Sequence, residues 1–144
     1  MRFGVLGSGS YGTAIGNYLI SQGLETKLWK RDSGVDIASV ISESDILILG
    51  VPAQQMRSFL SSFKTEKPVI CLAKGIEAAN LKRMSQIVAS TLGSNKYAIL
   101  SGPSFAKDIE SGNPVGLTLA SKNKDFRNEM QSALSSEVFD IKVT

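Results

Sequence analysis

Apolar residues along the 144-residue chain fall into short runs that alternate between two spacings. Phe3, Val5 and Leu6 make a strand-like run that breaks at Gly7, Gly9 and Gly12. The apolar pattern then resumes at Ala14, Ile15, Tyr18 and Leu19 with the recurrence of a helix face, and Gly23 stands where a C′ glycine ends such a helix. A short strand is predicted over 26–29 and a short helix over 35–41. The stretch 45–51 is almost wholly apolar, as a strand covered on both faces must be, and Pro52 stops it. Met56, Phe59, Leu60 and Phe63 follow at i, i+3, i+4 and i+7, the buried face of an amphipathic helix. The alternation then repeats with a strand over 69–73 and a helix carrying Leu81, Met84, Ile87, Val88 and Leu92. Next come a strand over 97–100, a turn-rich segment over 101–106 that opens a short helix through Ile109, and a strand over 115–120. Phe126, Met130 and Leu134 mark a last helix, and a last strand covers 139–143. Strands alternating with helices predict a parallel α/β architecture, and the length is that of one domain, 1–144.

The first break in the pattern carries chemistry. Gly7-x-Gly9-x-x-Gly12 between a strand and a helix is the spacing of a dinucleotide-binding turn. One glycine makes the turn, the next lets backbone approach a pyrophosphate, and the third packs helix against strand. Amides near Ser10 and Tyr11 would face the anion with the positive end of the helix dipole. The fold class predicted is therefore a Rossmann-type, doubly wound, mostly parallel sheet with helices on both faces. It is shortened after the second strand, because 33–44 has room for only one short helix. Trp29-Lys30-Arg31-Asp32 ends that strand, where the ribose of the adenosine is read. Asp32 lies beyond the basic pair, so Arg31 is the expected reader of a 2′-phosphate, with NADP accepted beside NAD.

Composition removes other chemistries. Histidine is absent, which excludes Ser-His-Asp and Cys-His catalysis, histidine metal sites and histidine proton shuttling. The single cysteine, Cys71, sits inside an apolar run and reads as a buried small hydrophobe. A formal net charge of +3 with scattered lysines and arginines gives no nucleic-acid footprint. No run is long enough for a membrane span or a signal peptide, and a cytoplasmic location is the expectation.

In an open parallel sheet the ligand lies outside the carboxyl ends of the strands. Residues 7–12, Arg31, Pro52, Lys74 and residues 101–106 each follow a strand end, so all are predicted to share one edge. Lys74 offers an ammonium to a phosphate or carbonyl oxygen, or is a solvated loop lysine. The Ser104 hydroxyl beside Gly102 could bond a substrate, but Gly-Pro-Ser is also turn and helix-capping chemistry, and the spacing favours the latter.

Taken together, Gly7-Ser8-Gly9-Ser10-Tyr11-Gly12-Thr13-Ala14, Leu28-Trp29-Lys30-Arg31-Asp32, Val51-Pro52, Ala73-Lys74-Gly75 and Ser101-Gly102-Pro103-Ser104-Phe105-Ala106 resemble the successive motifs of NAD(P)-dependent glycerol-3-phosphate dehydrogenase. The Lys-Gly and Ser-Gly-Pro-Ser-Phe-Ala motifs make the match specific. The resemblance implies that Gly7, Gly9, Ser10, Tyr11, Gly12 and Arg31 belong to the cofactor site. It implies that Lys74 touches both cofactor and sn-glycerol 3-phosphate, that Gly102 and Ser104 touch substrate, and that Ala106 touches cofactor. The implied reaction is hydride transfer between the nicotinamide of NADP or NAD and C2 of glycerol 3-phosphate, giving dihydroxyacetone phosphate, in phospholipid synthesis. No nucleic-acid partner and no metal is implied.

The chain departs from the family pattern at two places. The short connection over 33–44 lacks an insertion that most members carry, which would reshape the adenine end. The sequence also ends before the all-helical second domain in which the family keeps its catalytic lysine, its phosphate clamp and a possible homodimer contact. This chain alone is accordingly expected to bind cofactor and to turn over poorly or not at all. Another two-domain dehydrogenase on the same unit, and a non-catalytic dinucleotide sensor, are the competing readings.

Overall fold

The computed structural model describes residues 1–7, 9–93 and 96–144, so Ser8 of the glycine motif lies outside the described residues. The chain runs β1 (Arg2–Leu6), α1 (Ser10–Ser21), β2 (Glu25–Trp29), α2 (Ile37–Glu43), β3 (Ile46–Leu49), a 3-10 turn (Ala53–Gln55), α3 (Met56–Ser61), β4 (Val69–Cys71), α4 (Met84–Leu92), β5 (Tyr97–Ser101), α5 (Ala106–Glu110), β6 (Val115–Ala120), α6 (Lys124–Leu134) and β7 (Phe139–Val143).

These strands form one seven-stranded sheet in the order β2-β1-β3-β4-β5-β6-β7. Pairings from β2 through β5 are parallel, β6 runs antiparallel to β5, and β7 is parallel to β6. The mostly parallel, doubly wound expectation holds. The shortened connection has a direct topological result, because β2 forms one edge of the sheet.

Core packing explains the continuous apolar strand patterns. In β3, Ile46 and Ile48 pack into one cluster with Ala14, Ile15 and Leu19 of α1 and Phe126 and Met130 of α6. Leu47 and Leu49 point the opposite way, into a cluster with Val40, Met56, Phe59, Leu60, Ile87 and Val88 from α2, α3 and α4. Side chains alternate across a strand, so a strand buried on both faces must be apolar at every position. Each fully buried Leu or Phe in these layers contributes about 1.5–3 kcal/mol. Tyr18 joins α1 to the far edge of the sheet. Its ring stacks on Phe139 with centroids 3.5 Å apart, and its hydroxyl donates to the Leu134 carbonyl at 3.0 Å.

Several boundaries differ from the sequence expectation, each for a local reason. The second helix begins at Ile37, two residues late, because Asp36 is its N-cap and accepts from the Ala38 amide at 3.1 Å. The third strand is shorter than 45–51, since Asp45 turns to Arg2 and Gly50 belongs to the turn that meets Gly7. Leu81 is not on a helix face. It has φ +55, is 71% exposed, and donates its amide to the Glu77 carbonyl, so the helix starts only at Met84. Cys71 is fully buried, and burial pushes its thiol up to about 11, in line with the small-hydrophobe reading. No helix among the described residues is long and apolar enough to cross a membrane.

Candidate functional site

The carboxyl ends of β1, β3, β4 and β5 open on one cleft of about 410 Å³, walled by Gly9, Tyr11, Gly50, Lys74, Ser104 and Ala106 among others. A second hollow of about 300 Å³ continues past Gly9, Gly50 and Pro52 to Trp29, Lys30 and Arg31. The predicted residues therefore share one sheet edge, with Gly102 set back from the lining.

The glycine turn is built by contact. Gly7 has φ +85, a conformation that L side chains rarely adopt, and its amide donates to the Trp29 carbonyl at 2.9 Å. The Gly7 carbonyl then faces Gly12, where a Cβ would come within 2.7 Å of it. Gly50, at the end of the neighbouring strand, meets the same carbonyl. Gly9 differs, because a Cβ built there would have no described atom within 4 Å. It is the N-cap of α1 and has no side chain with which to cap the first-turn amides that begin at Ser10. A helix N-terminus behind a glycine, which has no side chain in the way, fits a phosphate group by amide donors and by the helix dipole.

At the other end of the cleft, three side chains meet. Lys74, just past β4, donates from Nζ to the Gly102 carbonyl at 2.8 Å and stands 5.3 Å from the centre of the Tyr11 ring. The Tyr11 hydroxyl lies 3.0 Å from Ser104 Oγ. Ser104 is 5% exposed and does not cap the following helix; Asp108 does that work, its Oδ2 accepting from the Phe105 amide at 3.2 Å. The capping reading favoured for Ser104 by its turn context is thus corrected. Gly102 acts as a spacer and an acceptor. Its carbonyl holds Lys74, and a Cβ there would sit 2.6 Å from the Gly116 carbonyl of β6. Ala106 is the first residue of α5 and lines the cleft. Arg31 is exposed at the far hollow and makes no hydrogen bond or ion pair to the described residues.

Sequence reasoning passed over Gly50, Gln54, Arg57 and Glu77. Gly50 had a signal, a glycine closing an apolar strand ahead of Val-Pro. Glu77 is 7% exposed, and Arg57 grips its carboxylate from Nε at 2.8 Å and from Nη2 at 3.1 Å. Bonds from Arg57 first, and from Asn80 second, hold that carboxyl below its ordinary value. Among the described residues no group of three or more His, Cys, Asp or Glu could hold a metal.

Known proteins of similar sequence bear on this site. A family profile described as the NAD-dependent glycerol-3-phosphate dehydrogenase N-terminus matches residues 2–36 and 33–127, two segments that meet at the shortened connection. The chain is 34% identical to a glycerol-3-phosphate dehydrogenase [NAD(P)+] of Thermotoga sp. (strain RQ2), covering 98% of this chain and 50% of the relative. It is 30% identical to the enzyme of that name from Acinetobacter baumannii (strain SDF), over 98% of this chain and 48% of the relative. The chain thus spans about half the length of these curated relatives. The second alignment runs over 171 positions against a chain of 144 residues, so the relative carries residues that this chain lacks. Crystallographic glycerol-3-phosphate dehydrogenase from Coxiella burnetii shares the fold, with TM-score 0.90 at 21% identity over 99% of this chain and 53% of the other. The Plasmodium falciparum protein does so with TM-score 0.85 at 24% identity over the whole of this chain and 52% of the other. With the profile covering most of its length, the chain belongs to the NAD-dependent glycerol-3-phosphate dehydrogenase N-terminal family.

Proposed function

We propose that this chain, 1–144, is the cofactor-binding half of an NAD(P)-dependent dehydrogenase that interconverts sn-glycerol 3-phosphate and dihydroxyacetone phosphate. The observation that carries the reading is one cleft lined both by Gly9 and Ser10 at the start of α1 and by Lys74. Gly7, Gly9, Ser10, Tyr11 and Gly12 hold the diphosphate, Arg31 takes a 2′-phosphate, and Ala106 flanks the nicotinamide. The bound dinucleotide supplies or accepts the hydride. Lys74 reaches both the dinucleotide and the substrate; its ammonium and the neutral Ser104 hydroxyl place donors of fixed geometry beside the substrate oxygen or phosphate. Gly102 contributes by seating Lys74. We further propose that a helical second domain completes the substrate site, provides the catalytic lysine and mediates dimerisation. In this reading the reaction serves glycerophospholipid synthesis in the cytoplasm.

Fluorescence titration of the chain with NADPH and with NADH tests this. Saturable binding of a reduced dinucleotide is expected, and no binding of either would overturn the reading. Arg31→Ala is expected to weaken NADPH several-fold and NADH much less, because only NADPH carries the extra phosphate. Equal losses would remove Arg31 from the 2′-phosphate.

A further inference from the structure

We infer that Gln54, Arg57 and Glu77 are positioning residues, a clamp that sets where Lys74 stands in the cleft. The inference rests on the role given to Lys74 above. Between β4 and α4 the chain runs twelve residues without a regular element, a length at which loops are ordinarily mobile. This one is pinned from both sides. The Gln54 side-chain amide grips the backbone on either side of residue 77: Nε2 donates to the Ile76 carbonyl and Oε1 accepts from the Ala78 amide, each at 2.8 Å. Between those two bonds Glu77 turns inward to the Arg57 fork; Arg57 is three residues after Gln54, in α3, which directly follows the 3-10 turn that holds Gln54. Asn80 Nδ2 adds a bond to Glu77 Oε1 at 3.0 Å. The backbone closes on itself as well, from the Glu77 amide to the Lys82 carbonyl at 2.8 Å and from the Leu81 amide to the Glu77 carbonyl at 2.7 Å.

Residues 76–82 are therefore one block fixed to the start of α3. A single residue, Gly75 with φ +100, joins that block to Lys74. The backbone that carries Lys74 is anchored on one side by the Leu72 amide, which donates to the Leu49 carbonyl at 3.0 Å, and on the other by the block, so the ammonium reaches Gly102 from a defined origin. Charge-assisted, two-pronged bonds are the strong class of hydrogen bond, and a buried carboxylate that loses its partner is strongly unfavourable. If the clamp opened, Gly75 would swivel at little cost and the ammonium would lose its origin.

Two readouts test this on the 144-residue chain. The first is the acetylation rate of the Lys74 amine by acetic anhydride, followed by mass spectrometry. The second is NADPH affinity in a double-mutant cycle. Gln54→Ala removes an exposed side chain and keeps the Arg57–Glu77 pair, so it provides a folded variant should Glu77→Gln fail to fold. Gln54→Ala and Glu77→Gln are each expected to speed Lys74 acetylation and to weaken NADPH by about 3- to 10-fold. Neither should weaken it further when Lys74 is already alanine, and Arg57→Lys, which keeps the charge but loses the fork, should fall between wild type and Glu77→Gln. Wild-type acetylation in folded Gln54→Ala, or losses that add to that of Lys74→Ala, would overturn the inference. A wild-type chain that binds no NADPH while the variants still expose Lys74 would defeat the cofactor reading and leave the clamp standing.

Discussion

Gly9 and Gly12 lie in one turn and are glycine for different reasons. A side chain at Gly12 would run into the Gly7 carbonyl, which is backbone and cannot rotate away. At Gly9 no described atom lies within 4 Å of an added Cβ, and in the proposed function the constraint there comes from the dinucleotide. Gly12→Ala is thus expected to lower stability in urea unfolding by about 1–3 kcal/mol as α1 is pushed off β1. Gly9→Ala is expected to change stability by less than about 1 kcal/mol while abolishing dinucleotide binding in the NADPH titration. If both variants lost stability alike, the open space at Gly9 would have no meaning for a ligand.

At the level of elements, α2 shows what the short connection demands. It buries only Val40, so packing alone would hold it weakly. Side chains fix it at both ends: Asp36 caps the start, and Lys67 Nζ donates to the carbonyls of Ile41 at 2.8 Å, Ser42 at 3.0 Å and Ser44. Asp36→Ala is expected to cost about 0.5–2 kcal/mol, measured by urea unfolding. Most of the strands and helices among the described residues could be located from apolar periodicity, because strands covered on both faces and amphipathic helices leave distinct spacings, while the second helix follows from the room between strands and the fifth from the turn that opens it. The glycine turn, Arg31, Lys74 and Ser104 could be placed at one edge, because strand ends fix where loops converge. What periodicity hides is side-chain contact between distant segments. Lys67 capping a helix some 25 residues earlier, or Gln54 bracketing Glu77, leaves no local pattern, and Leu81 matched a helical spacing that its left-handed backbone breaks. Ser104 read as a cap for the same reason, since its partner Tyr11 lies 93 residues away.

For the whole molecule, the ion pairs predict how folding responds to acid. The bond from Arg2 holds the Asp45 carboxyl below its usual range, the bond from Lys27 does so for Glu43, and Arg57 with Asn80 does so for Glu77. In the unfolded chain these groups keep their protons to higher pH. Their stabilisation is therefore fully present above about pH 5 and is lost as pH falls through the lowered folded values. The Asp45 and Glu43 side chains are 47% and 48% exposed and are screened by water, whereas that of Glu77 is 9% exposed. Glu77→Gln is accordingly expected to flatten the loss of stability between about pH 5 and 3, and Asp45→Asn to leave it nearly unchanged, in urea titrations across that range.

The two ends of the cleft also differ in how far apart along the chain their parts lie. The glycine turn closes on β2 and β3, its immediate successors, through the Gly7 amide bond to Trp29 and the contact of Gly7 with Gly50. The Tyr11–Ser104 contact joins residues 93 apart, with β2, β3, β4 and β5 between them in the chain. Closing a longer loop loses more chain entropy before any contact repays it, and contacts distant in sequence form late. The glycine turn is therefore expected to take shape while the sheet is still half built, and the Lys74 end only once the sheet has extended to β5.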